Sequence, residues 1–213
     1  MQAQPASFVF SGQSRRQSLR STHRNLVRRI ICTFSTRDNS WTDGLVARRG
    51  SPADRGVIFR SILSEGMNPL GIRTERFLVV EEKDVQSQKN QIVGFGQLRP
   101  LSATDLELAS VYVAPAYRRR GIASRIVAHL LEEQRRSLHS VSGPKKRRIF
   151  CLTVGNESLY SRAGFTRFAL DQNFIWNSDI PCGLRFEMLA GRVVAALVKP
   201  QDVLVLLYTI LEA

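Results

Sequence analysis

The residues whose types and spacing most clearly indicate a binding site lie between Val111 and Arg136. Val111 and Val113 are β-branched and flank Tyr112, which predicts a strand. Pro115 ends that strand, because proline cannot donate to a sheet ladder. A short loop with three consecutive arginines and one glycine follows, and then an amphipathic helix. Strand, basic turn and helix in this order form an arrangement that can bind phosphate groups.

The basic turn has the residue types that a pyrophosphate requires. The N-terminus of a helix presents unpaired N–H groups and a partial positive charge. Arg118, Arg119 and Arg120 add full positive charges beside it. Gly121 and Ala123 leave room for phosphate oxygens close to the backbone. The spacing alone is also typical of a strand–turn–helix whose basic turn is merely solvated.

Two motifs in the expected order resemble those of the GNAT N-acetyltransferase superfamily. Residues 118–123 match its acyl-CoA signature, which is Arg or Gln, two free positions, Gly, one free position, and Gly or Ala. Residues 107–115 are similar to the fourth strand of that family, and residues 159–165 to its second motif, a short helix that runs into Gly-Phe. The resemblance covers residues 44–170.

The resemblance implies acetyl-CoA as co-substrate, and the scattered positions of the histidines suggest no metal site. The backbone of Val111 and Val113 would pair with the amides of the pantetheine arm, as a strand edge pairs with a peptide. The other residues expected to contact CoA are Arg118, Arg119, Arg120, Gly121, Ile122, Ala123, Ser124 and Asn156. Asn156 departs from the family pattern, because it precedes Leu159 by three residues where many members have six.

Acetyl transfer to an amine also needs groups that move protons. A lysine amine with a pKa of about 10.4 is mostly charged at neutral pH, so a general base is useful. Glu107 is the candidate base by resemblance, with Asp105 as the nearby alternative. Tyr160 matches a family tyrosine near the CoA sulfur and is the candidate proton donor. Glu107 could instead be an exposed strand residue, and Tyr160 could serve packing alone.

These residues need a scaffold of strands and helices. The patterns predict the order β-α-β-β-β-α-β-α-β-α-β, an α/β fold with a mixed, largely antiparallel sheet and helices on both faces. The first helix begins at a capping box in residues 51–54. Resemblance to the acyl-CoA N-acyltransferase fold implies that strands four and five splay apart, and that residues 42–213 form the N-acetyltransferase domain.

Residues 1–37 have the composition of a disordered transit peptide. They are rich in serine and hold seven arginines, with no Lys, Asp or Glu. The uncharged first fourteen residues and the resemblance of residues 30–33 to a stromal processing site favour the chloroplast. The arginine-rich residues 19–34 leave the mitochondrion as the alternative. A nucleic-acid-binding arm is disfavoured, since such arms usually carry lysine as well.

Composition limits the other function classes. Residues 1–37 supply more than half of the net charge of +13, and the rest shows no aromatic residues interleaved with basic ones, so we expect no nucleic-acid partner. No apolar run reaches the length of a membrane span. Cys32, Cys151 and Cys182 lack metal or redox spacing. The resemblance therefore implies an N-acetyltransferase for a protein N-terminus, a lysine or a small arylalkylamine. A non-catalytic CoA-binding regulatory module is the alternative.

Overall fold

The computed structural model of the protein describes residues 41, 44–69, 71–83, 90–139, 145–170, 174–189 and 204–213. The predicted transit peptide at 1–37 lies outside the described residues. The described strands are β1 (Leu45–Arg49), β2 (Phe77–Lys83), β3 (Asn90–Pro100), β4 (Asp105–Val113), β5 (Lys146–Val154), β6 (Thr166–Arg167) and β7 (Leu204–Glu212). The described helices are α1 (Arg55–Ser64), α2 (Ile122–Leu138), α3 (Glu157–Arg162) and α4 (residues 182–189).

The strands form one seven-stranded sheet in the order β1-β2-β3-β4-β5-β7-β6. Neighbouring strands are antiparallel except β4 and β5, which are parallel. The predicted mixed, largely antiparallel sheet and the predicted order of elements are thereby confirmed.

Helices cover both faces of the sheet. Alternate residues of each strand face opposite sides, so the strands present apolar side chains on both faces. In β2, Leu78 and Val80 pack in the core cluster of α2, whereas Phe77 and Val79 pack in that of α1. In β5, Cys151 belongs to the α2 side, and Phe150 packs with the apolar residues of α4 on the other. One face therefore carries α2, and the other carries α1 and α4.

The start of α1 was predicted correctly from the local sequence. Ser51 and Asp54 form the predicted capping box, and Pro52 stands at the first position of the turn that leads into the helix. The Ser51 amide donates to the Asp54 carboxylate at 2.6 Å. Gly66 follows the helix with a φ of +67°, the left-handed conformation that commonly ends a helix.

Three segments differ from what their local patterns predict. The charged residues at 140–148 predict a loop, but residues 146–148 open β5, because β7 pairs with them from Lys146–Glu212 onward. The pattern of residues 165–170 predicts a strand, but the strand is limited to Thr166–Arg167 at the sheet edge. The pattern of residues 171–183 predicts an irregular loop, but the segment contains a 3-10 turn at Phe174–Trp176 and, at 182, the first described residue of α4. Long-range pairing and packing determine the structure of these segments.

Candidate active site

A gap opens between the two parallel strands in the middle of the sheet. β4 and β5 pair at three positions, and the last pair is Glu107 with Phe150. Beyond it, β4 continues to Val113 and β5 to Val154, with no further pairing between them among the described residues. The separation has the form that the resemblance implied.

A bulge in β4 coincides with this separation. Phe95 pairs with Tyr112, but Gln97 pairs with Ala109, so β4 has one residue more than β3 over this stretch. Ser110 lies in the bulge with a φ of +53°, which is uncommon for a residue other than glycine. A bulge bends its strand and interrupts its ladder, so β4 changes direction where its pairing with β5 has ended.

The backbone of Val111 and Val113 borders the gap. The Ala114 amide donates to the Val93 carbonyl at 2.8 Å, which fixes the alternation of β4 backbone groups. Val111 and Val113 therefore turn their N–H and C=O groups away from β3. The Val113 carbonyl accepts from Arg118 Nε at 3.0 Å, whereas the two N–H groups face the gap, as expected for pairing with a pantetheine arm.

The loop before α2 is built from two left-handed residues. Arg119 has a φ of +65° and Gly121 a φ of +78°. Gly121 is the N-cap, and glycine has no side chain to cap the first N–H groups of the helix. A Cβ built on Gly121 would meet no described atom within 4 Å, so the space over this helix end is open. The Ile122 side chain is buried in the core, so Ile122 can offer a ligand its backbone N–H alone.

The three arginines of the loop have different surroundings. Arg118 pairs with Glu65 at 2.5 Å and thereby ties the loop to the end of α1. Arg120 lies over the Tyr117 ring, 5.1 Å from its centre. Arg119 and Arg120 are exposed beside the open helix end, where positive charge favours an anion. Ala123 and Ser124 are half-buried in the first turn of α2.

Glu107 lies at the start of the gap and is buried. Its carboxylate accepts hydrogen bonds from Arg99 Nε, at 2.9 Å, and from Arg99 Nη2. Arg99 also pairs with Glu187 of α4. Burial raises the pKa of Glu107 to about 7, and the negative charge of Glu187 adds to the effect while Arg99 opposes it. A carboxyl with this pKa can accept a proton near neutral pH.

Asp105 is a much poorer candidate for the base. Arg148 holds both of its oxygens, with Nε–Oδ1 at 2.7 Å and Nη2–Oδ2 at 2.9 Å. These hydrogen bonds lower the pKa of Asp105. Its carboxylate therefore binds protons weakly at neutral pH and stabilises the contact between the starts of β4 and β5.

Tyr160 lies on the opposite face of the sheet from Glu107. Its ring packs edge-on against Phe165, with 5.9 Å between ring centres. Burial raises the pKa of Tyr160, and the neighbouring Cys151 thiol adds to this. The side chains of Cys151 and Thr153 form hydrogen bonds with the Tyr160 hydroxyl. Both residues lie in β5 beyond the last pair of β5 with β4. The hydroxyl is thus protonated at neutral pH. It lies beside the half of β5 that does not pair with β4.

Asn156 is exposed and forms the N-cap of α3. Its carbonyl accepts from the Leu159 amide at 3.1 Å. It follows Gly155, whose φ of +73° turns the chain out of β5. The expected contact of Asn156 with CoA stays a prediction.

Arg99 and Glu187 were missed in the sequence. Arg99 had a usable signal, since it is the single charged residue of β3. Glu187 had none, because a single acidic residue in an amphipathic helix is ordinary. Cys151 is a buried thiol in the core on the α2 side, and burial raises its pKa to about 12, so it packs as a small apolar residue.

The described ranges lack two further features. Within them, no three His, Cys, Asp or Glu side chains are grouped so that they could hold a metal ion. None of the helices in the same ranges has both the length and the apolar character that a membrane crossing needs.

Comparison with known proteins identifies the domain. Residues 73–167 match the family model described as "Acetyltransferase (GNAT) domain". This range includes the gap, the basic loop and α3. No curated protein gives a significant match to the chain.

Solved structures share the fold. Rv2747 from Mycobacterium tuberculosis, in complex with CoA and NLQ, is 24% identical with a TM-score of 0.54, and the match covers 79% of this chain and 99% of that one. N-acetylglutamate synthase from Neisseria gonorrhoeae, with coenzyme A and N-acetyl-glutamate, is 16% identical with a TM-score of 0.55, covering 82% of this chain but 37% of the synthase. The NatC complex bound to Gag peptide and CoA is 15% identical with a TM-score of 0.51, covering 80% and 99%. With the domain match and the shared fold, residues 73–167 form a GNAT acetyltransferase domain within this chain.

Proposed function

We propose that this enzyme transfers the acetyl group of acetyl-CoA to a primary amine of a polypeptide, either an N-terminus or a lysine. The observation that carries the proposal is Glu107, a buried carboxyl with a pKa of about 7 at the start of the gap between β4 and β5. An amine that enters this gap can contact the Glu107 carboxyl, which is about half ionised at neutral pH and can act as a base.

The proton and bond changes balance with these residues. Glu107 accepts one proton from the ammonium of the acceptor, directly or through water. The nitrogen lone pair then forms the C–N bond with the thioester carbonyl carbon, and the C–S bond breaks as the thiolate leaves. The nitrogen loses its second proton, which the thiolate finally takes up. The Tyr160 hydroxyl stabilises the thiolate by donating a hydrogen bond.

The chain's own groups position acetyl-CoA for this step. The N–H groups at the start of α2, with Arg119 and Arg120 beside them, fit the pyrophosphate. The N–H groups of Val111 and Val113 fit the pantetheine amides. Together they would hold the thioester in the gap, between the faces that carry Glu107 and Tyr160.

Exposed apolar side chains on α4 and in the turn before it favour a polypeptide acceptor. Trp176 is 83% exposed and Phe186 is 68% exposed, and Phe186 directly precedes Glu187, which reaches the Arg99–Glu107 pair. Exposed aromatic residues of this size often mark surfaces for larger partners. A small arylalkylamine needs a more enclosed pocket.

Three acceptor pools test the proposed acceptor class. The first holds lysine-free peptides with a free α-amine, the second Nα-blocked peptides with one lysine, and the third arylalkylamines. We expect thiol release from acetyl-CoA with the first or second pool. Turnover with the third pool alone would contradict a polypeptide acceptor, and CoA binding without turnover on any pool would favour a regulatory module.

We also propose that the enzyme acts in the chloroplast after removal of residues 1–37. The support is the arginine- and serine-rich composition of that segment. A fluorescent fusion of the full chain should enter plastids, and N-terminal sequencing should find a start between residues 33 and 40. Accumulation in mitochondria, or an intact N-terminus on the organellar protein, would refute this assignment.

Gly121→Trp should weaken CoA binding by about tenfold or more, because the indole would fill the open space over the N-terminus of α2. Calorimetric titration with CoA measures the effect. Gly44→Trp is a matched control, since Gly44 also has a positive φ, of +75°, and open surroundings in the described structure, but lies before β1. Equal CoA affinity in both variants would contradict a phosphate site at Gly121.

Glu187→Gln should move the acid limb of the kcat/KM–pH profile to lower pH, by about one unit. The negative charge of Glu187 raises the pKa of Glu107, so its removal lowers that pKa, and the base stays ionised at lower pH. Glu132→Gln on α2 is the control, because Glu132 pairs with Arg136 at the surface. An unshifted limb in Glu187→Gln would mean that Glu107 is not the group that titrates.

A further inference from the structure

A buried amide without a hydrogen-bond partner for its oxygen lies on β3. The Gln97 side chain is 2% exposed, and its Oε1 has no partner among the described residues. Buried polar atoms are nearly always paired, and each exception calls for an explanation. Arg147 and Arg185 each have a buried unpaired Nε, but both guanidinium groups donate through Nη1. Gln97 is therefore the unpaired acceptor in this set.

Gln97 shares a face of the sheet with Glu107. Phe95, Gln97 and Arg99 alternate along β3 and therefore point to the same side. Arg99 pairs with Glu107 across the strands and contacts its carboxylate, which places all of these side chains on the face of α1 and α4. The Gln97–Ala109 pair is thus two positions along the ladder from the pair that contains the candidate base, and it is the next pair on the same face.

The neighbour of Gln97 across the strands is small, and β4 is irregular directly after it. Its partner on β4 is Ala109, whose side chain is a single methyl group. Ala109 is followed by the bulge residue Ser110, in the part of β4 that no longer pairs with β5. On antiparallel strands, diagonal neighbours such as Gln97 and Glu107 lie about 7–8 Å apart, so one small group can contact both long side chains.

The charges at this position favour a cation. Glu107 and Glu187 share the single guanidinium of Arg99, so the cluster has an excess negative charge when both carboxyls are ionised. An ammonium group complements that charge and carries several N–H donors. A hydroxyl or thiol has a single donor and could satisfy one of the two acceptors.

We propose that Gln97 binds the acceptor amine, with Oε1 accepting one N–H while Glu107 accepts another. This inference rests on the proposed amine acetylation. Two fixed acceptors orient the nitrogen so that its lone pair points towards the thioester in the gap. They also make the site select primary amines over alcohols and thiols.

Gln97→Met tests the proposal, because methionine keeps the length of the side chain and removes both polar atoms of the amide. With the best of the peptide pools as probe, the amine KM should rise about tenfold. The KM for acetyl-CoA should stay within about twofold, since no CoA contact is removed. Removal of the unpaired Oε1 breaks no hydrogen bond among the described residues, so any fall in melting temperature reports the loss of the Nε2 donor.

Gln91→Met is the control, since Gln91 is an exposed glutamine near the start of the same strand. Gln97→Leu serves as a second variant. An unchanged amine KM, an equal rise in the KM for acetyl-CoA, or loss of folding in both Gln97 variants would overturn the proposal while leaving amine acetylation standing. Absence of turnover by the unmodified enzyme on every pool would overturn both.

Discussion

Glu107→Gln is expected to lower kcat by about 100-fold at pH 7.5, with little change in acetyl-CoA affinity. A positioned general base typically contributes a factor of about 10²–10⁴. Glu107 meets the requirements for that role, because it is buried at the gap and burial raises its pKa to about 7. The amide keeps the shape of the side chain and an oxygen that can accept from Arg99, so the fold should be retained.

The pH dependence of this variant is as informative as its rate. In the unmodified enzyme, kcat/KM should rise with pH through about 7 as Glu107 loses its proton, and the variant should lose that limb. Asp105→Asn is the comparison, since Asp105 is held by Arg148 and its pKa is lowered. It should reduce stability and keep the limb. Loss of the limb in Asp105→Asn, with its retention in Glu107→Gln, would reverse the assignment.

Tyr160→Phe is expected to lower kcat about 30-fold, which corresponds to the roughly 2 kcal/mol of a hydrogen bond to a charged group. Burial raises the pKa of Tyr160 above that of an ordinary phenol. A thiol with a pKa of about 8.5 gives a thiolate too weakly basic to remove the phenol proton. Tyr160 therefore acts by donating a hydrogen bond to the leaving thiolate, and the thiolate takes its proton afterwards.

A matched tyrosine separates this role from packing. Tyr208→Phe on β7 removes a hydroxyl from a ring that packs edge-on against Phe168, remote from α3 in sequence, and should leave kcat unchanged. Stopped-flow measurement of thiol release gives the chemical step directly. Equal losses of kcat and of acetyl-CoA affinity in Tyr160→Phe would show that the hydroxyl serves packing.

The parts of the site that depend on nearby residues were predictable. The basic loop, Gly121 and the start of α2 form one continuous segment, so residue types and spacing were sufficient. The capping box at Ser51 and Asp54 is similarly local. The separation of β4 and β5 followed from the family resemblance alone, since no residue pattern in either strand indicates where pairing stops.

Features that depend on long-range packing were not predictable. Arg99 and Glu187 are 88 residues apart in sequence, and their contact exists because α4 lies on the same face of the sheet as Glu107. The raised pKa of Glu107 depends on that contact and on burial, which a single sequence does not give. The unpaired oxygen of Gln97 likewise appears only when β3 is placed in the sheet.

The most direct test of the central claim is amine-dependent thiol release from acetyl-CoA by the full-length enzyme and by Glu107→Gln. The two proteins should bind CoA equally in a calorimetric control. The account predicts release with a peptide pool, at a rate that rises with pH through about 7 and falls about 100-fold in the variant. Equal rates for the two proteins, or CoA binding with no release on any amine, would contradict it.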